Sequence, residues 1–207
     1  MIPVQPQPQP DDFVAKVQAP GLKFLATTSN PTTKEWKKHS YWSAISADLY
    51  DIYQGICGYY AEWFAKNLNR LEVDHFHPKS KYPHLAYEWS NYRLASPLAN
   101  TRKHTHEDVL DPFSLQPNWF LLEFPSLLVK ANPHLDVTQV TKVNVTIDRL
   151  KLNEENQIKS RQRWLKDYGN NDISFAYLKT KAPFIVYELE RQDLVDTIKT
   201  IFCGFNS

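Results

Sequence analysis

Cysteine is scarce in this chain: Cys57 and Cys203 are the only two in 207 residues. Two thiols cannot build the disulfide framework of a small secreted scaffold, and they read as reduced cysteines of a cytoplasmic protein. Neither sign of charge is in excess, since 24 Lys and Arg face 23 Asp and Glu. A polycation that coats nucleic acid by bulk charge is therefore excluded, and any phosphate attraction must come from a local basic patch or from a partner. No apolar run approaches the ~20 residues needed to cross a bilayer, so no membrane association is expected. The opening residues MIPVQPQPQPDD lack the charged start and apolar stretch of a secretory signal.

What is present suffices for one good-sized domain, or a small core with appended helices. The Gln-Pro repeat from Gln5 to Pro10 reads as an extended, solvated arm, because each proline removes a donor and fixes φ. Pro20 to Pro31 reads as broken and irregular. Trp42, Ile45, Leu49 and Ile52 then recur at three- and four-residue intervals, which predicts an amphipathic helix over 34–53. Gly55 and Gly58 punctuate it, and the aromatic run Tyr59, Tyr60, Trp63 and Phe64 is expected in the core.

Strand-like runs follow at Leu71 to Phe76 and Tyr92 to Ser96, with a loop containing Pro83 between them. Leu98 to Glu107 is expected to be helical, giving the order strand, loop, strand, helix. Further on, Phe120 to Phe124 and Leu127 to Lys130 suggest a hairpin around Pro125. Asn153 reads as the N-cap of a helix ending near Tyr168. The last segment, with Leu189, Leu194, Ile198 and Ile201, is expected to be helical, and Phe184 to Tyr187 fits helix or strand. Three regions result: an arm and lead-in over 1–32, a core over 33–115, and a mainly helical part over 116–207.

The chemistry concentrates in one window. Five of the seven histidines fall between Asp74 and His106, where uniform scatter would put roughly one. A carboxylate at Asp74 is a hard oxygen ligand suited to Mg²⁺ or Mn²⁺. The adjacent His75 has an imidazole able to take a proton from water near neutral pH. Neighbours on a strand point to opposite faces, but at a strand end the backbone can turn and aim both at one site. Asn100 and His104 lie four apart on the expected helix and share a face. An amide oxygen from Asn100 can complete a metal site; His104 is either a further ligand or a surface residue. Lys79, Arg93, Arg102 and Lys103 are candidate phosphate contacts. Between Arg70 and Lys103 six basic side chains face three acidic ones. His77, His84 and His106 are read as background.

The blocks Val73-Asp74-His75-Phe76-His77-Pro78-Lys79-Ser80, Trp89-Ser90-Asn91-Tyr92 and Asn100-Thr101-Arg102-Lys103 resemble those of the HNH, or ββα-metal, endonucleases. Val109-Leu110-Asp111-Pro112-Phe113 extends the likeness toward a bacterial subgroup, and the resemblance covers Leu49 to Phe113. It implies an α+β fold with a central ββα-metal motif embedded in a mainly helical domain. It implies that Asp74 and Asn100 bind Mg²⁺ or Mn²⁺, that His75 is the general base, and that Asn91 fixes the inter-strand loop and orients His75. Lys103 would lie near the scissile phosphate, and Glu72 would be an outer carboxylate or a plain edge-strand residue. The implied activity is hydrolysis of DNA phosphodiesters. Small proteins of this kind serve as the nuclease subunit of bacterial antiphage systems of the Septu type, beside an ATPase partner. The alternative is a catalytically silent HNH scaffold that acts as an assembly subunit.

Many HNH proteins also carry two Cys-x-x-Cys knuckles around a structural zinc. Here those positions read Cys57-Gly58-Tyr59-Tyr60 and Ser96-Pro97-Leu98-Ala99. Three of the four thiolates are missing, so no structural zinc is expected.

Overall fold

The computed structural model describes residues 1–66 and 71–198, a mixed α+β fold, largely helical, with small antiparallel two-stranded sheets. Arg70, Ile201 and Cys203 lie outside the described residues. The chain divides into two compact units. One comprises Gln5–Gly58 and Phe64–Glu107; the other comprises Met1–Val4, Tyr59–Trp63 and the part that begins at Asp108. The first holds the whole window from Asp74 to Lys103.

Its chain begins with the Gln-Pro arm, which is exposed and extended as its prolines require, but not merely solvated. Gln7 accepts a hydrogen bond from Trp89 Nε1 at 2.7 Å and donates its backbone N–H to the Tyr53 hydroxyl at 3.1 Å. The stretch expected to be irregular from Pro20 to Pro31 is helical at its start, where a π turn at Val14–Gln18 runs into α1, Ala19–Leu25, and is irregular as expected over 26–31. Pro20 sits in the first turn of α1, where the missing N–H costs little. Gly21 is required there by close packing, because a β-carbon would lie 2.1 Å from the Tyr87 ring.

The single helix expected over 34–53 is three pieces. α2 spans Thr33–Lys38, a 3-10 turn covers Tyr41–Ile45, and α3 spans Ser46–Ile52. α2 starts on a capping box, with the Thr32 side chain accepting from Glu35 N and Glu35 accepting from Thr32 N. His39 and Ser40 leave helical geometry, which lets Tyr87 donate its hydroxyl to the His39 carbonyl at 2.8 Å. Apolar periodicity survives the breaks because each piece still faces one core. That core is aromatic: Phe13, Phe24, Trp36, Tyr50, Tyr87 and Tyr92 pack with Val17, Ile45, Leu49, Val73 and Leu94. Edge-to-face pairs such as Phe13 with Tyr92 and Phe24 with Trp36 organise it.

Four short strands lie in the described chain before residue 100: β1 (Ile56–Cys57), β2 (Glu62–Trp63), β3 (Val73–His75) and β4 (Tyr92–Leu94). β3 and β4 pair antiparallel, with Val73 opposite Leu94, Asp74 opposite Arg93 and His75 opposite Tyr92. α4, Pro97–Lys103, follows directly. Ser96 caps it by accepting from Ala99 N, and Pro97 fills its first turn. The buried Cys57 accepts from Ser96 N at 3.4 Å. The order strand, loop, strand, helix is thus as expected, with each element shorter.

In the second unit, β5 (Phe120–Glu123) and β6 (Leu128–Ala131) form the hairpin expected around Pro125, with Phe120 opposite Ala131. The helices are α5 (Val137–Leu150), α6 (Glu155–Gly169), α7 (Phe175–Lys181) and α8 (Pro183–Arg191). The N-cap of α6 is Glu154, not Asn153. Asn153 instead binds β6, accepting from Val129 N at 2.7 Å and donating to Val129 O at 2.9 Å. Phe184 to Tyr187 is helix. Glu188, with no exposed surface, ties α8 to the hairpin by accepting from Leu122 N at 2.8 Å and from Arg191. Such a buried carboxylate is tolerable only because its lone pairs are used.

Candidate active site

A cleft of about 430 Å³ opens in the first unit over the end of β3 and the start of the loop that follows. Asp74, His75, Lys79, Asn100 and His104 all line it, together with Thr33 and Trp36 from α2. The residues chosen from the sequence for metal and proton chemistry therefore converge, although they come from a strand, a loop and a helix. Asp74 and His75 reach the same cleft because β3 ends at His75 and Pro78 turns the chain.

His75 is 6% exposed. Its Nε2 lies 3.0 Å from the Ala86 carbonyl. A carbonyl only accepts, so this nitrogen carries the proton and Nδ1 keeps the lone pair. The ring is held edge-on between Trp42, at 4.7 Å between centroids, and Tyr92, at 5.2 Å. Burial pushes its pKa down to about 3, helped by the charges of Lys79 and Lys103 and opposed by the Ala86 carbonyl. The imidazole is accordingly neutral at physiological pH.

Asn91 is buried and holds the loop that both histidine and cleft depend on. Its Oδ1 accepts from His77 N at 2.8 Å, and its Nδ2 donates to His77 O at 3.0 Å and Leu85 O at 3.1 Å. It makes no bond to His75, so the direct orienting role expected of it passes to Ala86. The connection is one residue long, because Leu85, clamped by Asn91, precedes Ala86.

Asn100 donates Nδ2 to Glu72 Oε2 at 2.7 Å. That bond settles which end of the amide faces Glu72 and leaves Oδ1 as the acceptor. Glu72 thus fixes the orientation of Asn100 instead of decorating an edge strand; the sequence offered for this only its position two residues before Asp74. His104, at the C-cap of α4, has φ 44° and ψ −126°, a conformation that favours glycine. A strained non-glycine residue lining a cleft is a mark of functional sites.

Three of the expected phosphate contacts behave differently. Lys103 has no exposed surface; its Nζ donates to the His75 carbonyl at 2.9 Å and to the Phe76 carbonyl. It also lies 3.8 Å from Asp74 Oδ1. This ammonium is fully buried, does not line the cleft, and holds the backbone at the end of β3. Arg93, 4% exposed, donates to Ser90 O at 2.7 Å and Tyr92 O at 2.9 Å and stacks on Phe76. Arg102 is partly exposed on α4 but does not line the cleft. Lys79 does: it lies over the Trp42 ring at 5.2 Å, and burial holds its pKa below the usual lysine value against the opposing pull of Asp74. Of the four, Lys79 is the cation the cleft can offer to an anion.

Among the described residues no group of three His, Cys, Asp or Glu stands together as a ready metal centre. The donor set that does converge is a carboxylate (Asp74), an amide oxygen (Asn100) and an imidazole (His104). One carboxylate with few neutral donors fits a Mg²⁺-type ion that retains several waters, and does not fit a closed tetrahedral zinc site. Among the described residues no helix is long and apolar enough to cross a membrane. Comparison with protein-family models, with curated proteins and with solved structures returns no match. The residues and their geometry alone therefore carry the functional reading.

Proposed function

We propose that this protein is a metal-dependent endonuclease of the HNH type that hydrolyses DNA phosphodiesters. One observation carries the reading: Asp74, His75 and Asn100, which the resemblance assigns to metal binding and catalysis, line the same cleft, together with His104, the candidate ligand four residues beyond Asn100. Nothing in strand or helix periodicity alone requires that convergence.

In this reading Asp74 and Asn100 hold a Mg²⁺ or Mn²⁺ ion, with His104 as a third donor. When bound, such an ion supplies charge stabilisation to the transition state and to the departing oxygen. His75 Nδ1 accepts a proton from the attacking water, while Nε2 stays bonded to Ala86 O. Lys79 contacts the phosphate, and an anion beside His75 offsets the two lysine charges that disfavour imidazolium. Lys103 holds the backbone carbonyls of His75 and Phe76, so the strand end does not drift. Glu72 holds Asn100, and Asn91 holds the loop. The chain's near-neutral charge suits a nuclease subunit to which a partner delivers DNA, and an ATPase of a bacterial antiphage system is the partner we propose.

A silent HNH scaffold is favoured by one contact, the 3.8 Å approach of Lys103 to Asp74, which gives the carboxylate a cation of the protein's own. Plasmid nicking in Mg²⁺ and Mn²⁺ separates the two readings. An endonuclease nicks and loses this with His75→Ala; a scaffold does not nick.

A further inference from the structure

The cations around the motif leave little to grip a substrate. Lys103 and Arg93 are spent on backbone carbonyls, and Lys81 is paired with Glu107. Lys79 alone of that group lines the cleft. A duplex held by several phosphates needs more positive charge than this.

It is found on α1 and α2. Lys34, Lys37 and Lys38 are exposed on α2, and Lys23 is exposed at the end of α1. Among the described residues none of the four has an acidic partner. The one acid of α2, Glu35, is occupied by Thr32, whose backbone N and Oγ1 donate to it at 2.7 and 2.8 Å. The helix also connects two depressions. Thr33 and Trp36, three residues apart, line the cleft that holds Asp74 and His75. Glu35 and Lys38 line a separate open groove of about 620 Å³ with Lys23 and His39. Lys34 and Lys37 lie between these faces of the helix, by the i, i+3 rule.

We propose that α2, with Lys23, is a phosphate-backbone track that seats duplex DNA alongside the cleft. The inference rests on the endonuclease reading above and adds the surface that binds the substrate. Duplex is favoured over single strand because stacking of unpaired bases requires exposed aromatic rings. Among the described residues of this unit the exposed large apolar side chains are Val14, Leu22 and Leu98, none of them aromatic. Among the described residues its rings are buried in the core or, like Tyr41, Trp42, Tyr53, Phe64 and Trp89, partly buried against it, and Phe76 and Tyr82 are half-buried. The track therefore grips a charged backbone and does not read bases.

The test is equilibrium binding of a short labelled DNA duplex to the full chain in EDTA, across a salt series. The wild type should bind with a log of the association constant that falls linearly in log[salt]. The triple variant Lys34→Ala/Lys37→Ala/Lys38→Ala should bind at least tenfold more weakly at low salt, with a slope shallower by about 0.9 for each phosphate left without its lysine. A control of equal charge change in the other unit, Lys142→Ala/Lys159→Ala/Lys166→Ala, should bind as the wild type does. Because the three α2 lysines are exposed, the melting temperature of the triple variant should stay near that of the wild type. The track is overturned if the wild type does not bind the duplex, or if the α2 variant keeps the parental affinity and slope. It is equally overturned if the control weakens binding as much, or if a single strand of equal length binds as tightly as the duplex. Nicking with Mg²⁺ is scored separately, so failure of the endonuclease reading and failure of the track are distinguishable.

Discussion

Lys103 Nζ lies 3.8 Å from Asp74 Oδ1, and both side chains are shielded from solvent. The same ammonium donates to the carbonyls of His75 and Phe76. One buried cation from the end of α4 thus fixes the charge and the backbone of the β3 end, where the cleft is built. Removing one member of a buried pair leaves the other desolvated and uncompensated.

Lys103→Met should therefore destabilise the protein by about 3–5 kcal/mol, the usual cost of breaking a buried pair. Denaturant unfolding of the purified variant measures this. A change below about 1 kcal/mol would mean that Lys103 does not hold the strand end.

In the proposed site Glu72 bears on the metal through Asn100, from whose Nδ2 it accepts at 2.7 Å. Glu72→Ala should raise the Mg²⁺ concentration needed for half-maximal nicking by about 10- to 100-fold, as for other outer partners of ligands. The rate at saturating Mg²⁺ should change much less, and Glu72→Gln should recover part of the effect by offering an amide oxygen to Asn100. An unchanged metal requirement in Glu72→Ala would remove Glu72 from the site.

The buried imidazole of His75 makes stability depend on pH in the metal-free protein. Its folded pKa, about 3, lies below the ordinary value of 6.5. Between these values the unfolded chain binds more protons than the folded one, so acid favours unfolding. The contribution is fully present above pH 6.5 and is lost as pH falls toward 3, by up to about 1.4 kcal/mol per pH unit. Unfolding in EDTA should show the wild type losing stability relative to His75→Gln as pH falls from about 6.5 to about 4. Parallel pH profiles would contradict the buried, neutral imidazole.

Much of the site was legible because it depends on short-range signals. Asp74 beside His75, Pro78 as a brake and Asn100 on a helix are local facts, and these residues line one cleft. Burial was not legible. Lys103 and Arg93 look in sequence like any phosphate contact, and only the carbonyls and the Phe76 ring packed around them reveal otherwise. The orienting role of Ala86 belongs to a backbone carbonyl, which leaves no mark on residue type.

The fold was legible to the same uneven degree. The hairpin at Pro125 and the strand, loop, strand, helix order carry turn residues and caps. α5 lies in the part expected to be mainly helical but carries little local helix signal, since Val137, Val140, Thr141, Val143 and Val145 are β-branched and weak helix formers. A capping box between Asp136 and Gln139, and burial of Val143, Thr146, Ile147 and Leu150, override that preference. Asn153 carried a true capping composition but was captured by β6, a tertiary interaction outranking a local one.

The central claim is that His75 is the proton acceptor of a metal-dependent nuclease, and plasmid nicking by the wild type, His75→Ala and Asp74→Ala in Mg²⁺ and Mn²⁺ tests it most directly. The account predicts that the wild type nicks only with metal and that His75→Ala is slower by about 10²–10⁴-fold, the usual contribution of a general base. Asp74→Ala should be similarly impaired. Wild-type protein that fails to nick with either metal, or a His75→Ala variant that nicks at the parental rate, would contradict it.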